Sequence, residues 1–394
     1  MVGWGIAGFG WVARDFVAPA IRDAGHRLAA VCDPDAGARA AAERLGARAF
    51  ADLEAMCADP AVEALYVATP NHLHRAGVEA AARAGKAVLC EKPMAATLAD
   101  AEAMAAAVAR AGILYGTAFD QRHHPAHKAI RAAIRDGAVG TVTAIRIVYA
   151  CWLGPDWGEG DNWRIDAAKA GGGALMDLAP HGLDLASFLA DAPIEAVAAL
   201  TQTRIHPYAV DDGAALIARL AGGALLALHV AYNHPETLPR RRLEIVGDRG
   251  LIVAQDTMGQ DPGGSVNLTD ARTGETRPLT VEGAERSPFL EQILAFGQAL
   301  RFGDRSAFGA VRDLHGMRCL AAAYGGGRDH TLHPPHAEGL GGAEPRRTQH
   351  APTPPAVPGT PLEAPLRGAP QDEGAGGMNC RPPSELSFPA ETAP

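Results

Sequence analysis

No stretch of this chain approaches the roughly eighteen uninterrupted apolar residues that a membrane span needs, although 47% of its residues are hydrophobic. Aromatic residues make up only 5%, and no stripe of Lys and Arg runs interleaved with them. With a formal net charge of -9, the electrostatic footprint of a nucleic-acid binder is missing. The six cysteines (Cys32, Cys57, Cys90, Cys151, Cys319, Cys380) form no C-x-x-C pair and no framework spacing. That pattern argues against zinc ribbons and disulfide scaffolds and reads as reduced thiols. The opening segment lacks a basic stretch and a small-residue cleavage site, so it does not read as a signal peptide. No repeat of solenoid period is visible. The expectation is a cytoplasmic protein acting on a small molecule, with neither nucleic acid nor membrane as partner.

At 394 residues the chain exceeds one ordinary core and fits two domains plus an extension. From Val2 to about Phe119, short apolar runs alternate with Ala-rich helical segments, the pattern of βαβ units around a parallel sheet. Strands are expected at Val2 to Ala7, Arg27 to Cys32, Ala64 to Ala68, Ala87 to Cys90 and Leu114 to Thr117, with helices between them ending near glycines. Beyond a helix at His127 to Asp136 come longer β-branched runs joined by hairpin-like turns such as Ala221-Gly222-Gly223. These predict a largely antiparallel open sheet, interrupted by a helix at Met176 to Leu189 and followed by helices at Pro288 to Phe302 and Ala310 to Tyr324. From about Gly325 the composition turns to Pro, Gly, Thr and Glu without apolar periodicity, which predicts disorder. The expected architecture is an α/β Rossmann domain (1–120), an α+β domain (121–328) and a disordered Pro-rich tail (329–394).

Gly8-Phe9-Gly10-Trp11-Val12-Ala13 places a G-x-G-x-x-A fingerprint directly after the first strand. Gly8 permits the tight turn, Gly10 lets the backbone approach a pyrophosphate, and the helix N-terminus faces the anion. Strand two ends at Asp33, twenty residues after Ala13, where a carboxylate can accept a bond from the adenosine ribose. Asp33 also repels a 2′-phosphate and no Arg follows at once, so NAD is favoured over NADP. Two further strands end in Thr69-Pro70-Asn71-His72 and in Glu91-Lys92-Pro93. Both stand where an open α/β sheet binds its ligands, and Lys92 is the candidate catalytic lysine. Asp177 and His181 lie four apart after the run Gly171-Gly172-Gly173, on one helical face, with Pro180 acceptable in a first turn. Two readings stand open here: a proton-handling pair, or a helix cap beside a buried histidine. The histidines at His72/His74 and His123/His124/His127 lack ligand spacing, and no metal is expected.

Taken together, G-x-G-x-x-A, T-P-N-H, E-K-P and G-G-G-A-L-x-D-x-x-x-H resemble the Gfo/Idh/MocA oxidoreductase family over about residues 1–325. The resemblance implies a catalytic set of Lys92, Asp177 and His181, and cofactor positions at Gly8, Gly10, Asp33, Thr69, Asn71, His72 and Glu91. Phe9, Trp11, Val12, Lys92 and Gln121 are expected to complete the cofactor contacts. Substrate contacts are expected from Lys92, Arg122, Trp163, Arg164, Asp177 and His181, with Trp152 and Trp157 nearby. The implied reaction is hydride transfer between NAD(H) and a hydroxyl or keto carbon of a sugar, cyclitol or related polyol. In it, His181 is the base, Asp177 orients it, and Lys92 stabilises the substrate oxygen. The same resemblance covers NAD-dependent glycosidases and a non-catalytic sensing regulator. Ala179-Pro180 and the tail depart from the family pattern. An exposed open sheet also predicts a homo-oligomer, dimer or tetramer, through the C-terminal sheet.

Overall fold

The computed structural model describes residues 1–154, 162–325 and 330–331. Trp157, Cys380 and the rest of the expected tail lie outside these residues. The first half alternates β1 (Gly3–Ala7), a π-turn at Ala13–Val17 leading into α1 (Ala18–Asp23), β2 (Arg27–Cys32), α2 (Ala36–Arg44), β3 (Arg48–Phe50) and α3 (Leu53–Ala58). It continues with β4 (Ala64–Val67), α4 (His74–Arg83), β5 (Ala87–Cys90), α5 (Leu98–Ala111), β6 (Tyr115–Thr117) and α6 (Pro125–Arg135). The six strands run parallel in the order β3-β2-β1-β4-β5-β6, which reverses between β1 and β4. That reversal opens a crevice at the carboxyl ends of the strands, and the loops carrying Gly8–Ala13, Asp33, Thr69–His72 and Glu91–Pro93 leave from there. The three-residue β3 has no apolar period of its own, which is why the sequence pattern passes over it.

The second half contains β7 (Val142–Ala150), α7 (Ala167–Ala170), α8 (Ala174–Ala190), β8 (Ile194–Gln202), β9 (Gly213–Leu220), β10 (Leu225–Ala231), β11 (Arg241–Gly247) and β12 (Gly250–Gln255). It ends with β13 (Ser265–Asp270), β14 (Thr276–Pro278), α9 (Pro288–Phe302), α10 (Ala310–Tyr324) and β15 (His330–Thr331). Among the described residues its nine strands form one sheet, β14-β13-β12-β11-β7-β10-β9-β8-β15, antiparallel throughout except for β7 beside β10. Within the region expected as tail, His330 and Thr331 pair with Val197 and Ala196 at the edge of this sheet.

α8 covers one face of the sheet, burying Leu175, Leu178, Leu185 and Leu189. The other face is open: Leu200, Ile217 and Leu225 are 78%, 65% and 57% exposed. Their register, Leu200 opposite Ala215 and Leu225 opposite Arg219 on the strand that carries Ile217, puts all three on the same side.

The last two helices return to the nucleotide-binding half, and all these elements form one compact unit. Phe296 of α9 lies 5.4 Å from Trp4 and joins a core cluster with Ile6, Val17 and Ile21. The Asp313 carboxylate on α10 accepts the Thr117 N–H at 2.7 Å, at the end of β6. No helix among the described residues is long and apolar enough to cross a membrane.

Pro180 departs from the expectation of a first-turn proline. The helix begins at Ala174, so Pro180 sits in its second turn and offers no N–H to the Met176 carbonyl. Burial of nearly the whole helix carries this loss, and the adjoining Asp177 carbonyl receives a bond from Lys92 at 3.0 Å.

Candidate active site

The nucleotide end is shaped by backbone first. Gly8 has φ +82° and donates its N–H to the Cys32 carbonyl at 2.8 Å. A Cβ there would meet the Ala68 carbonyl oxygen, so only glycine closes the β1 turn against β4. A Cβ on Gly10 would find nothing within 4 Å, which leaves an open cradle over the first helical turn. Phe9 donates its N–H to Asp33 at 2.7 Å, and the other Asp33 oxygen accepts from Asp35 N–H at 2.8 Å. Arg39, which the spacing alone did not single out, lays its guanidinium on the Asp33 and Pro34 carbonyls, both at 2.8 Å. This cradle, with a carboxylate at the tip of β2, fits the pyrophosphate and ribose of a dinucleotide.

The loops after β4 and β5 are tied together by His74. Its ring nitrogens meet the Thr69 carbonyl at 2.9 Å and the Pro93 carbonyl at 3.0 Å, and burial pushes its pKa down to about 4. Asn71 is buried and donates to the Ala170 carbonyl at 2.9 Å, linking this loop to α7. His72 is exposed beside it. Glu91 accepts from the Tyr66 hydroxyl at 2.6 Å, and burial raises its pKa despite that bond and the charge of Lys92.

Lys92 and Asp177 then meet across the two halves at 2.5 Å. The other Asp177 oxygen accepts from the Tyr232 hydroxyl at 2.8 Å. Burial alone would raise Asp177, but the charges of Lys92 and Arg164 and the bonds from Lys92 and Tyr232 hold it well below the usual carboxylate range.

The expectation that Asp177 orients His181 is corrected by this geometry. Asp177 spends its side-chain oxygens on Lys92 and Tyr232, and the carboxylate nearest the imidazole is Asp120, with Oδ1 3.5 Å from His181 Nδ1. His181 is 6% exposed and packs edge-on against Tyr149 at 5.6 Å. Burial, with the Lys92 charge, pushes its pKa to about 3. Asp120 moves the other way, to about 7, because it is buried and lies near the Glu91 carboxylate. Asp120 and Tyr232 escaped the sequence reading because neither belongs to a spaced motif. Only the adjacency of Asp120 to Gln121 could have drawn notice.

One cavity of about 260 Å³ contains Trp11, Val12, Thr69, Asn71, Glu91, Lys92, Trp163, Arg164, Asp177 and His181. Trp152 lies on its wall as well, packed edge-on against His206 at 4.6 Å. Trp163 and Arg164 arrive on a 3-10 turn capped by Asn162, with the guanidinium 4.5 Å from the indole centre.

Of the expected contacts, Gly8, Phe9, Gly10, Asp33 and His72 are not part of this cavity's lining, and neither are Gln121 and Arg122. Gln121 stands behind Asp120, donating to it and to the Gly259 carbonyl at 2.8 Å each. Arg122 points the opposite way from the short turn that carries Asp120. It binds Asp184 at 2.6 Å, against the Phe188 ring, in a larger hollow of about 850 Å³ on the far side of α8. That hollow holds other paired charges, among them Arg312 with Asp313 and Arg131 with Asp191, and none of the residues that converge on Lys92.

Comparison with known proteins fits this arrangement. The oxidoreductase-family model for a NAD-binding Rossmann fold matches residues 2–119, and the model for the GFO/IDH/MocA C-terminal domain matches residues 127–253. The 1,5-anhydro-D-fructose reductase of Ensifer adhaerens is 36% identical over 70% of this chain and 82% of its own length. The D-xylose 1-dehydrogenase (NADP(+)) 2 of Haloferax volcanii is 29% identical over 82% and 96%. Among solved structures, the aldose-aldose oxidoreductase from Caulobacter crescentus, complexed with glycerol, superposes with a TM-score of 0.75 at 28% identity, covering 84% of this chain and 99% of that one. With both halves matched and Thr69, Asn71, Glu91, Lys92, Asp177 and His181 gathered in one cavity, the chain belongs to the Gfo/Idh/MocA oxidoreductase family.

Proposed function

We propose that this protein is an NAD-dependent dehydrogenase or reductase acting on a CH–OH carbon of a monosaccharide, cyclitol or related polyol. The observation that carries the reading is the meeting of Lys92, Asp177 and His181 in the cavity that also takes in Trp11 and Val12 of the glycine-rich turn. The sugar-converting relatives support the substrate class.

His181, kept neutral by burial, accepts the substrate hydroxyl proton, and Asp120 stabilises the imidazolium that results. Lys92 donates to the same oxygen and offsets its growing negative charge, while Asp177 and Tyr232 hold the ammonium in place. Bound NAD supplies the hydride acceptor. Gly10 and Asp33 would hold its pyrophosphate and adenosine ribose, and Trp163 offers a flat apolar wall to the sugar ring. A cytoplasmic setting is consistent with Cys32, Cys57, Cys90, Cys151 and Cys319 all being unpaired. The open sheet face, with Leu200, Ile217 and Leu225, is the surface through which two or more copies associate.

A screen of cyclitols, aldoses and keto-sugars with NAD and NADH, read by nicotinamide absorbance, tests the reaction class; steady cofactor turnover is expected. Within it, His181→Ala lowers turnover by on the order of a hundredfold to ten-thousandfold with cofactor affinity nearly unchanged. Lys92→Met also cuts turnover, and the double variant is little worse than the worse single one, because both groups act on one transition state. Near-normal turnover in either single variant contradicts the assignment.

For pH, Asp120 gains its proton as pH falls through about 7 and then no longer supports the imidazolium. Oxidative kcat/KM therefore falls below that pH, and Asp120→Asn removes this limb while lowering the plateau. A limb that persists in Asp120→Asn assigns it to another group.

Asp33→Ala weakens NAD and relaxes discrimination against NADP. It removes the ribose acceptor and the repulsion of a 2′-phosphate, and leaves the Arg39 charge beside the site. An unchanged ratio of the two cofactors' Kd values is the contrary result. Light scattering gives a mass of at least two chains, and Leu200→Lys with Ile217→Lys shifts it toward one; a monomeric wild type contradicts the assembly.

A further inference from the structure

Four cations line the catalytic cavity: Lys92, Arg164, Arg240 and Arg241. Lys92 binds Asp177, and Arg240 donates to Glu236 at 2.9 Å. Arg164 lies over Trp163, and its charge acts on Asp177 and Glu91. Arg241 differs. Among the described residues its guanidinium has no carboxylate partner, and its Nε is buried without a hydrogen-bond acceptor. The side chain as a whole is half-buried, so its terminal nitrogens are left for an acceptor that enters the cavity.

The fold keeps this group close to the chemistry. Arg241 opens β11 directly opposite Tyr149 on β7. Residues opposed on antiparallel strands project to the same side with Cβ atoms about 4.5–5.5 Å apart. Tyr149 in turn packs against His181. The guanidinium thus lies two side chains from the base, on the second sheet's wall and away from the glycine-rich turn. Gly259, at φ +128°, lies under it, and any Cβ there would collide with the guanidinium, so the backbone makes room for the arginine in this pose.

Resting on the oxidoreductase reading above, we infer that the substrate is a sugar acid whose carboxylate is bound by Arg241, while its reacting hydroxyl lies between Lys92 and His181. The planar fork of arginine matches a carboxylate bidentately. The cavity, about 260 Å³, falls just below the usual range for ligand sites, roughly 300–1,000 Å³, which suits one monosaccharide ring and not a nucleotide-linked sugar.

The test compares matched pairs, D-glucuronate with D-glucose and D-galacturonate with D-galactose, together with D-glucose 6-phosphate, in wild type, Arg241→Met and Arg241→Lys. In wild type, kcat/KM with NAD is expected to favour the acid of each pair by about tenfold to a hundredfold, the range of one charge-assisted pair. Arg241→Met brings that ratio close to one, mainly through KM, and Arg241→Lys recovers it in part. Melting temperature and NADH affinity serve as fold controls. Calorimetric titration of D-glucuronate into the enzyme with NADH bound gives a readout independent of turnover, in which Arg241→Met weakens binding by a similar factor. Equal use of acids and neutral sugars, a preference for the phosphorylated sugar, or acid binding that survives Arg241→Met overturns the inference. The first and third leave the dehydrogenase reading intact. Binding of glucuronate through Arg241 with no cofactor turnover on any sugar sinks that reading instead and leaves the recognition site standing.

Discussion

The buried ion pair between Lys92 and Asp177 is the constraint around which the molecule is arranged. Each partner is less than one-fifth exposed, and each comes from a different half: one from the end of β5, the other from the first turn of α8. Taking both charges out of water is expensive, and the cost is recovered only if the geometry is held closely. The neighbouring structure does this. His74 ties the β4 and β5 loops together, Tyr232 holds the second Asp177 oxygen, and the start of α8 is anchored by Asp211. That carboxylate accepts the Gly173 and Leu175 N–H groups at 2.9 and 2.7 Å and the Tyr324 hydroxyl at 2.8 Å. It caps the helix from outside, because the residue at the cap position, Gly173, has no side chain to do so. A glycine is required there, since a Cβ would overlap the Asp211 backbone, and at Gly171 one would overlap the Ala96 carbonyl.

That close approach explains why the glycine run and the D-x-x-x-H spacing were readable in the sequence while their use was not. Four-residue spacing does place Asp177 and His181 on one face, but a shared face is not a shared hydrogen bond. The neighbours of each are set by chain arriving from elsewhere: Lys92 and Tyr232 hydrogen-bond Asp177, while His181 Nδ1 makes no hydrogen bond and has the Asp120 carboxylate 3.5 Å away. The parallel half was legible almost strand by strand because its units are local. What escaped was of three kinds: β3, β14 and β15 are too short to show a period, β13 carries only Val266 and Leu268 as its alternating apolar residues, and the return of α9 to the Trp4 core joins residues nearly three hundred apart. Arg122 shows the same limit at the scale of one side chain, since Asp120 and Arg122, two apart on one tight turn, line different cavities.

Burial sets the chemistry as much as identity does. The same water-poor environment holds His181 neutral, lifts Asp120 to about 7 and raises Glu91, while the adjacent ammonium keeps Asp177 ionised. A neutral imidazole and a fixed cation facing one oxygen are what proton removal coupled to hydride loss requires. Two buried carboxylates pushed upward and one pushed downward within one small cavity mark a site arranged by environment, with the acidic and basic roles separated by what each group touches.

The most direct test of this account is the fate of the hydrogen on the reacting carbon. A sugar turned over in the screen, deuterated at the carbon that is oxidised, is incubated with NAD, and the reduced cofactor is weighed by mass spectrometry. The account predicts NADH carrying the deuterium, in step with the appearance of the oxidised sugar. Reduced cofactor without the label, or cleavage of a glycoside with no net reduction of NAD, would contradict it.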